Sequence, residues 1–344
     1  MLLEVTHDTR YDYAAPVSLA HHLAHLRPLS DAHQHLLTFD LSTDPTPGAQ
    51  RDGVDAMGNA ERHFSLAAPH RHLAVRAISR VRVTSRFTAL RPAASPAWGE
   101  VAQGLQYVAC GPVEHFQPAV EFALPSPYVP RLPALRGYAA SSFTPGRPLA
   151  VAAIELMHRV HADFRYQSQS TQIDTPLEEV WLERRGVCQD FAHLMAGAMR
   201  GLGLPVRYVS GYLLTHAPAG ARDAGRVMQG ADASHAWVQV WCPGTPGVPG
   251  DWLDLDPTND LIPGNGHVRV AVGRDFGDVT PLRGVIRGGG GRHTLRVGVT
   301  TRVLDPARAR PAAISVHSAC GMTRGIRSKG IRRSVPEPSS SFAP

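Results

Sequence analysis

Three side chains of the types used in covalent catalysis stand in three separate and distinctive segments of this chain. They are Cys188, His235 and Asp256. A thiolate can attack a carbonyl carbon, an imidazole can move a proton between the thiol and a leaving amine, and a carboxylate can hold the imidazole in one tautomer. The three residues together predict a nucleophile, its base and an orienting carboxylate.

Cys188 lies at the predicted start of a helix. Apolar residues recur at steps of three and four from Phe191 to Leu202, and Gly203 followed by Pro205 predicts where the helix ends. The free N–H groups at a helix N-terminus stabilise a thiolate. The alternative, a small buried hydrophobic residue, suits the remaining cysteines better. These are Cys110, Cys242 and Cys320.

His235 and Asp256 are both predicted to lie on strands. The segment that begins at His235 alternates with period two, so its imidazole shares a face with Trp237. Asp256 ends a short strand, where its carboxylate can accept a hydrogen bond from the imidazole. Two alternatives stay open: His235 can be a hydrogen-bonded core histidine, and Asp256 can be an ordinary turn starter, with Asp254 as a rival carboxylate.

Two further predictions concern the surroundings of the thiol. His193 follows Cys188 by about one helical turn and lies off the apolar stripe, so we expect it to support the site rather than act as the base. The loop at 217–232 is rich in Gly, Ala and Asp, and we expect it to border a substrate cleft.

A metal site is the main rival chemistry, because histidines cluster near the N-terminus. His21, His22 and His25 lie close together, with His33 and His35 nearby. Helical spacing would place two of them on one face, but no Asp, Glu or Cys cluster completes a ligand set and the segment is typical of a strand. We therefore expect solvent-facing polar positions, no metal and no cofactor; a histidine-rich metalloenzyme remains a separate alternative.

The length of 344 residues exceeds the usual size of one domain, roughly 100–200 residues, and predicts two folded units. Short alternating runs near the N-terminus predict an antiparallel sheet, arranged as a sandwich. The predicted segments are a β-rich N-terminal module at 1–90, a Pro- and Ala-rich surface connector at 91–148, a catalytic core at 149–270, strands completing the body at 271–305, and a basic, disordered tail at 306–344.

Charge and cysteine usage exclude several classes of function. The net charge of +6 belongs to the tail at 306–344, which holds seven basic residues and one acid, so the preceding part holds 28 of each and is neutral. A neutral body argues against a nucleic acid as partner. Four scattered cysteines without CxxC pairing suit a reducing compartment. The N-terminus does not read as a secretory signal, and no apolar stretch approaches the roughly 20 residues that span a bilayer, so we expect a cytoplasmic protein without membrane contact.

Three motifs, in this order along the chain, resemble the transglutaminase-like superfamily, specifically its bacterial members of cysteine-protease type. They are Gly-Val-Cys-Gln-Asp-Phe-Ala-His at 186–193, Ser-His-Ala-Trp-Val at 234–238 and Asp-Pro-Thr-Asn at 256–259. The stretches 55–59, 122–126 and 272–279 are also similar to that bacterial group. The likeness covers about residues 1–300, and the tail departs from the family pattern.

The resemblance implies an α+β fold in which a papain-like transglutaminase core, with a helix packed on an antiparallel sheet, follows an N-terminal β-sandwich-like module. It implies that Cys188 is the nucleophile, His235 the base and acid, and Asp256 the orienting carboxylate, with the backbone N–H of Cys188 as an oxyanion donor. The implied substrate is a peptide or protein with an amide or isopeptide bond. We expect hydrolysis through an acyl-thioester more than transfer to amines; the alternative is a non-catalytic peptide-binding or scaffold module on the same fold.

Overall fold

The computed structural model describes residues 1–106, 118–168, 170–214, 228–230 and 234–304. Strands near both ends of this range form one large antiparallel sheet. Its strands are β1 (Leu2–Ala24), β2 (Gln34–Asp44), β3 (Ala49–Val54), β4 (Ala60–Leu66), β5 (His70–Val83), β12 (Leu282–Gly288) and β13 (His293–Val303).

The long strand β1 is the centre of this sheet. Its first half pairs with β5 on one side and with β13 on the other, and its second half pairs with β12 and β4. Burial alternates along it: Leu3, Val5, His7 and Thr9 are buried, whereas Arg10 on the other face is exposed. This period of two turns one face of β1 towards the core.

A smaller antiparallel sheet has the strand order β10-β9-β8-β11. Its strands are β8 (Val206–Leu213), β9 (His235–Trp241), β10 (Trp252–Leu255) and β11 (His267–Gly273). A short parallel pair joins β6 (Arg165–Tyr166) to β7 (Arg185–Gly186). The α-helices are α1 (Trp98–Gly104), α2 (Pro133–Ala140), α3 (Leu149–Asp163), α4 (Leu177–Glu183) and α5 (Cys188–Arg200).

Helix α5 lies at the centre of the main hydrophobic core. All of its residues except Gln189 are buried, and it packs on β8, β9, α2 and α3. Gly197 lets α2 approach closely, since a Cβ there would lie 2.9 Å from Leu135. The same core includes Leu3 and Val5 of the large sheet, so both sheets share one apolar interior.

The structure confirms the α+β class, with a helix packed on an antiparallel sheet, and the strand-rich N-terminal region is consistent with the predicted sandwich-like module. The prediction that 91–148 is only a surface connector is wrong for its described part. It contains α1 and α2, and Val101, Val129 and Leu135 are buried in the core. The reason is that Pro133 occupies the start of α2, where a missing N–H leaves no helical hydrogen bond unmade.

The segment boundaries remain predictions, and the tail at 306–344 lies outside the described residues. Among the helices of the described ranges, none combines the length and apolar character that crossing a membrane requires.

Two of the N-terminal histidines are buried, although the sequence predicts that all of them face solvent. His22 and His25 are buried, and His22 stacks on Phe64 with ring centroids 5.0 Å apart. Burial lowers the pKa of His22 to about 4. The expectation was wrong because alternate side chains of β1 are buried at this point. They border a second hydrophobic cluster, which lies within the large sheet and contains Phe64.

His193 makes folding stability sensitive to acid. It is buried in α5, where its Nε2 accepts a hydrogen bond from the backbone N–H of Phe276 at 3.2 Å. Burial, with a smaller contribution from Arg200, lowers the pKa of His193 to about 3. Between this value and the ordinary histidine value of 6.5, the unfolded chain binds a proton that the folded chain does not, so stability falls as the pH falls.

We therefore expect His193→Gln, which keeps an acceptor for Phe276, to reduce this pH dependence. Between pH 6.5 and the folded pKa, the wild-type free energy of unfolding should fall more steeply than that of the variant, by roughly 1 kcal/mol per pH unit. Urea unfolding followed by circular dichroism at several pH values measures the two slopes. His21→Gln, at an exposed position, is the control and should match the wild type; equal slopes in all three proteins would contradict the prediction.

Candidate active site

The start of α5 is held by a hydrogen bond from its own first turn. The Asp190 carboxylate accepts a hydrogen bond from the backbone N–H of Val187 at 2.8 Å and from the Thr171 hydroxyl at 2.7 Å. Gly186 is required beside it, because a Cβ there would lie 2.7 Å from the Asp190 side chain. These contacts fix Cys188 as the first residue of the helix, where N–H dipoles favour a thiolate.

His235 and Asp256 meet inside the protein. Nε2 of His235, the first residue of β9, lies 2.8 Å from Oδ2 of Asp256, which follows β10 directly. Both side chains are fully buried. The antiparallel pairing of β9 and β10 brings the start of one strand beside the end of the other, which places the imidazole and the carboxylate together.

Asp256 is the most heavily hydrogen-bonded side chain of the site. Its Oδ2 accepts from His235, from Nδ2 of Asn259 at 3.0 Å and from Nε2 of His267 at 3.2 Å. Its Oδ1 accepts the backbone N–H groups of Thr258 at 3.0 Å and Asn259 at 3.1 Å. Burial alone would raise the pKa of this carboxyl, but the donors, with His235 foremost, hold the pKa of Asp256 well below its usual range. The group is therefore a carboxylate.

The pKa of His235 moves in the opposite direction. Burial by itself lowers it, but the Asp256 carboxylate and, more weakly, Cys188 raise the pKa of His235 to about 10. An imidazole with a raised pKa holds a proton that it can give to a leaving amine.

The second ring nitrogen of His235 lies on the side of the thiol. Nδ1 is buried and makes no hydrogen bond of ordinary geometry within the described residues, although Cys188 is close enough to raise the pKa of His235. A Cβ built on Gly230 would lie 2.7 Å from this Nδ1 and 3.7 Å from Cβ of Cys188, so the two side chains flank the same point of the backbone. The Cys188 thiol also lies 3.9 Å from the carbonyl oxygen of Ser234, the residue before His235.

Trp237 packs against both imidazoles that contact Asp256. Its ring stacks on His235 with centroids 6.1 Å apart and meets His267 edge to face at 5.3 Å. Gly211 makes room for it, because a Cβ there would lie 2.5 Å from the indole. The indole therefore limits the rotation of both histidines.

The three residues predicted from sequence come together, and those alternatives that lie in the described ranges do not join them. Asp254 is buried with Arg86 at 3.9 Å and does not bond His235. Cys242 is fully buried, and burial raises the pKa of its thiol. Cys110 and Cys320 lie outside the described residues, as does most of the loop at 217–232. His193 is buried in the core and is absent from the described residues lining the cavity beside Cys188.

Sequence reasoning missed three residues of the site. Asn259 belongs to the motif at 256–259, but no role was predicted for it. Besides binding Asp256, Asn259 accepts a hydrogen bond at its Oδ1 from the backbone N–H of Gln229 at 2.9 Å. His267 and Gly230 carried no local signal. His267 reaches Asp256 because β11 joins the sheet beside β8, and Gly230 is recognisable only from its φ of +84° and its closeness to His235.

Within the described ranges, one group of side chains has the spacing of metal ligands. Ligand atoms of His235, Asp256 and His267 all lie within 4.8 Å of one another. Their hydrogen bonds to each other already account for this arrangement, since an ionised carboxylate accepts and each facing imidazole nitrogen donates. A metal ion would have to displace both protons, so the geometry fits the hydrogen-bonded state better than a metal centre.

A cavity of about 680 Å³ opens beside Cys188. Its lining includes His235, the first turn of α5, the segment 228–230, and residues of β1, β8 and β13. Cys188 is 9% exposed, so the thiol is part of the cavity wall and not of the sealed core. The cavity size is typical of sites that bind small organic ligands, about 300–1,000 Å³.

Two family descriptions match this chain. Residues 3–82 match the bacterial transglutaminase-like N-terminal region, and residues 138–257 match the transglutaminase-like superfamily. A protein of Mycobacterium tuberculosis, described as uncharacterized, is 39% identical over 289 residues, covering 82% of this chain and 86% of the relative. The chain belongs to the transglutaminase-like superfamily.

Further relatives agree with this assignment. A Mycobacterium leprae protein, also described as uncharacterized, is 32% identical over 84% of this chain and 94% of its own. A protein-glutamine gamma-glutamyltransferase of Pseudomonas aeruginosa is 32% identical over 34% of this chain and 17% of the relative. A solved structure described as a "putative cysteine protease" from Cytophaga hutchinsonii superimposes with a TM-score of 0.63 at 21% identity, covering 89% of this chain and 92% of that one. That likeness confirms the fold.

Asp256→Asn tests the carboxylate that holds His235. An amide in this place accepts at one atom only, so either the facing imidazoles or the backbone N–H groups lose their acceptor, and His235 loses the charge that raises its pKa. We expect the rate at which iodoacetamide alkylates Cys188 to fall by at least about tenfold at neutral pH, with about 3 kcal/mol lost from the free energy of unfolding. Peptide mass spectrometry and urea unfolding measure the two effects.

The matched control for that change is Asp254→Asn, which alters a buried carboxylate in β10, two residues before Asp256, that does not bond His235. It should change stability while leaving the alkylation rate at the wild-type value. Similar alkylation rates in the two variants would show that Asp256 has no special influence on the thiol.

Gly230→Ala tests the space between Gly230 and His235. The new Cβ would lie 2.7 Å from Nδ1, so the imidazole must move, and the φ of +84° adds backbone strain. We expect the alkylation rate of Cys188 to fall by about tenfold or more, because a displacement near 1 Å weakens proton transfer strongly. Gly58→Ala, with a φ of +85° and no atom within 4 Å, carries the same strain without the collision and should react like the wild type. An unchanged rate in Gly230→Ala would refute this account.

Proposed function

We propose that this protein is a thiol-dependent amide-bond enzyme in which Cys188, His235 and Asp256 form a catalytic triad. The observation that carries the proposal is the position of His235. It is bound through Nε2 to a buried carboxylate and presents Nδ1 on the side of Cys188, at the wall of a cavity that both residues line. Superfamily membership and the fold shared with the Cytophaga hutchinsonii structure support a thiol enzyme.

The reaction follows from these positions. The Cys188 thiolate attacks the carbonyl carbon of the amide, and the negative charge moves to the carbonyl oxygen, where the backbone N–H of Cys188 is a candidate donor. When the intermediate collapses, the C–N bond breaks and the His235 imidazolium gives its proton to the leaving amine. The remaining acyl-thioester is then attacked by water, whose proton His235 takes, and Cys188 leaves as thiolate with the carboxylic acid product.

We propose hydrolysis of a peptide or isopeptide bond as the main outcome, with acyl transfer to an amine as the minor one. The Pseudomonas aeruginosa relative is described as a transferase, which supports acyl transfer to an amine as the second outcome. None of the described residues that line the cavity is Asp or Glu. A cationic amine would thus find no anchoring carboxylate on these walls, whereas water needs none.

Cys188→Ala tests the nucleophile. We propose that a panel of acyl-peptide aminomethylcoumarin amides, together with peptides carrying an isopeptide bond to lysine, contains a substrate of the wild type. Intact-mass spectrometry after acid quench should show an acyl adduct on the wild type and none on Cys188→Ala, with turnover lowered by about a thousandfold or more.

Cys242→Ala is the matched control, because this buried thiol lies away from the cavity. It should keep both the adduct and the turnover. Retained turnover in Cys188→Ala would end the nucleophile assignment. A thiol that reacts at the same rate with and without His235, in a His235→Ala variant, would favour the non-catalytic peptide-binding module. The cytoplasmic location inferred from cysteine usage remains a prediction.

A further inference from the structure

We propose that the cavity beside Cys188 selects an acyl donor with a bulky, uncharged, apolar side chain, of the leucine, methionine or phenylalanine class, next to the scissile carbonyl. This inference rests on the proposed thiol function and names the substrate class of the same site. It concerns the walls of the cavity that do not belong to the triad.

One part of the cavity lining is a patch of the large N-terminal sheet. Thr9 and Tyr11 of β1 point to the same face, and β13 places Val297 opposite Thr9 and Leu295 opposite Tyr11. Cross-strand partners on one face lie in contact range, about 4.5–5.5 Å between Cβ atoms. The four side chains thus form one mainly apolar surface in the cavity that Cys188 also lines.

Apolar side chains from other segments continue this surface around the cavity. Tyr166, Ile173, Met228, Phe276 and Leu282 all belong to the lining.

Several of these side chains are more exposed than apolar groups usually are. Ile173 is 52% exposed, Leu295 is 42% exposed and Val297 is 41% exposed. An apolar patch that is concave, exposed and next to a reactive thiol is typical of a binding site. A bound apolar side chain would remove this surface from water and gain roughly 25 cal/mol for each Å² buried.

Apart from the reacting pair Cys188 and His235, the described lining offers no charged side chain to a substrate. None of its members is Asp, Glu, Lys or Arg. His7 is also neutral, since both ring nitrogens are engaged, Nδ1 with the Tyr212 hydroxyl at 3.0 Å and Nε2 with the Thr9 hydroxyl at 3.0 Å, and burial lowers its pKa to about 4. A charged side chain placed here would lose water without gaining a partner, which is costly.

Peptidyl chloromethyl ketones test this preference without requiring turnover. The thiolate displaces chloride from the methylene carbon, so a C–S bond forms, the C–Cl bond breaks and chloride leaves. Three reagents with the same blocked peptide and a terminal phenylalanyl, glutamyl or lysyl residue are compared by the second-order rate of Cys188 alkylation, each divided by the iodoacetamide rate. We expect the phenylalanyl reagent to react at least about tenfold faster than either charged reagent.

Substitutions of Val297 reverse the sign of this selection. Val297→Asp should raise the relative rate of the lysyl reagent, and Val297→Lys that of the glutamyl reagent, each by about tenfold, while the phenylalanyl rate falls. Iodoacetamide, which carries no peptide side chain to place in the apolar pocket, should react at the wild-type rate in both variants. Thr300→Asp is the matched control, because Thr300 is exposed on the opposite face of β13 and should preserve the wild-type order.

The outcomes separate the two proposals. Suppose that iodoacetamide alkylates Cys188 at the normal rate. The apolar pocket is then refuted, and the thiol function stands, if the three peptidyl reagents react at equal relative rates. The same holds if Val297→Asp and Val297→Lys change the relative rates of the charged reagents in the same direction. If no reagent alkylates Cys188, iodoacetamide included, the thiol function fails and the substrate class fails with it. Opposite shifts in Val297→Asp and Val297→Lys support the pocket, since a folding defect cannot favour opposite charges in the two variants.

Discussion

The site depends on one buried carboxylate. Asp256 is fully enclosed, and an ionised group there is tolerable only because five hydrogen bonds satisfy it, two of them from the backbone of the turn that follows. The same bonds fix the orientation of the His235 ring. This orientation places Nδ1 on the side of the ring that is nearer to Cys188. Stability and chemistry therefore rest on the same interaction, and a change that disturbs one disturbs the other.

The two sheets contribute different parts of the site around the thiol. The smaller sheet and α5 provide Cys188, His235 and Asp256 from segments that the shared core holds rigidly. The larger sheet adds lining residues from β1 and β13, which are separated by nearly the whole described chain yet pair directly. An N-terminal region that matches its own family description thus contributes to the cavity that Cys188 lines.

Local patterns predicted the elements that carry the site. The apolar steps after Phe191 correspond to α5, and the alternation after His235 corresponds to β9, because both signals arise within a single element. Elsewhere, signals of the same kind misled. The proline-rich sequence suggested a surface connector, but α2 packs on Gly197 in this segment. His22 and His25 were predicted to be polar surface positions, but both are buried. Burial of a residue depends on what packs above it, and its own segment does not contain that information.

By itself, the sequence determined the reactive side chains, the helix start that holds Cys188 and the strands that hold His235 and Asp256, since residue type and short-range periodicity decide these. The tertiary structure alone decided that Asp256 and not Asp254 binds the imidazole, that His267 and Asn259 share this carboxylate, and that Gly230 borders the thiol. It also decided that an apolar face of the N-terminal sheet lines the same cavity as Cys188. These facts follow from strand order and from pairing between distant segments, which depend on the free energy of the whole fold and leave no local pattern.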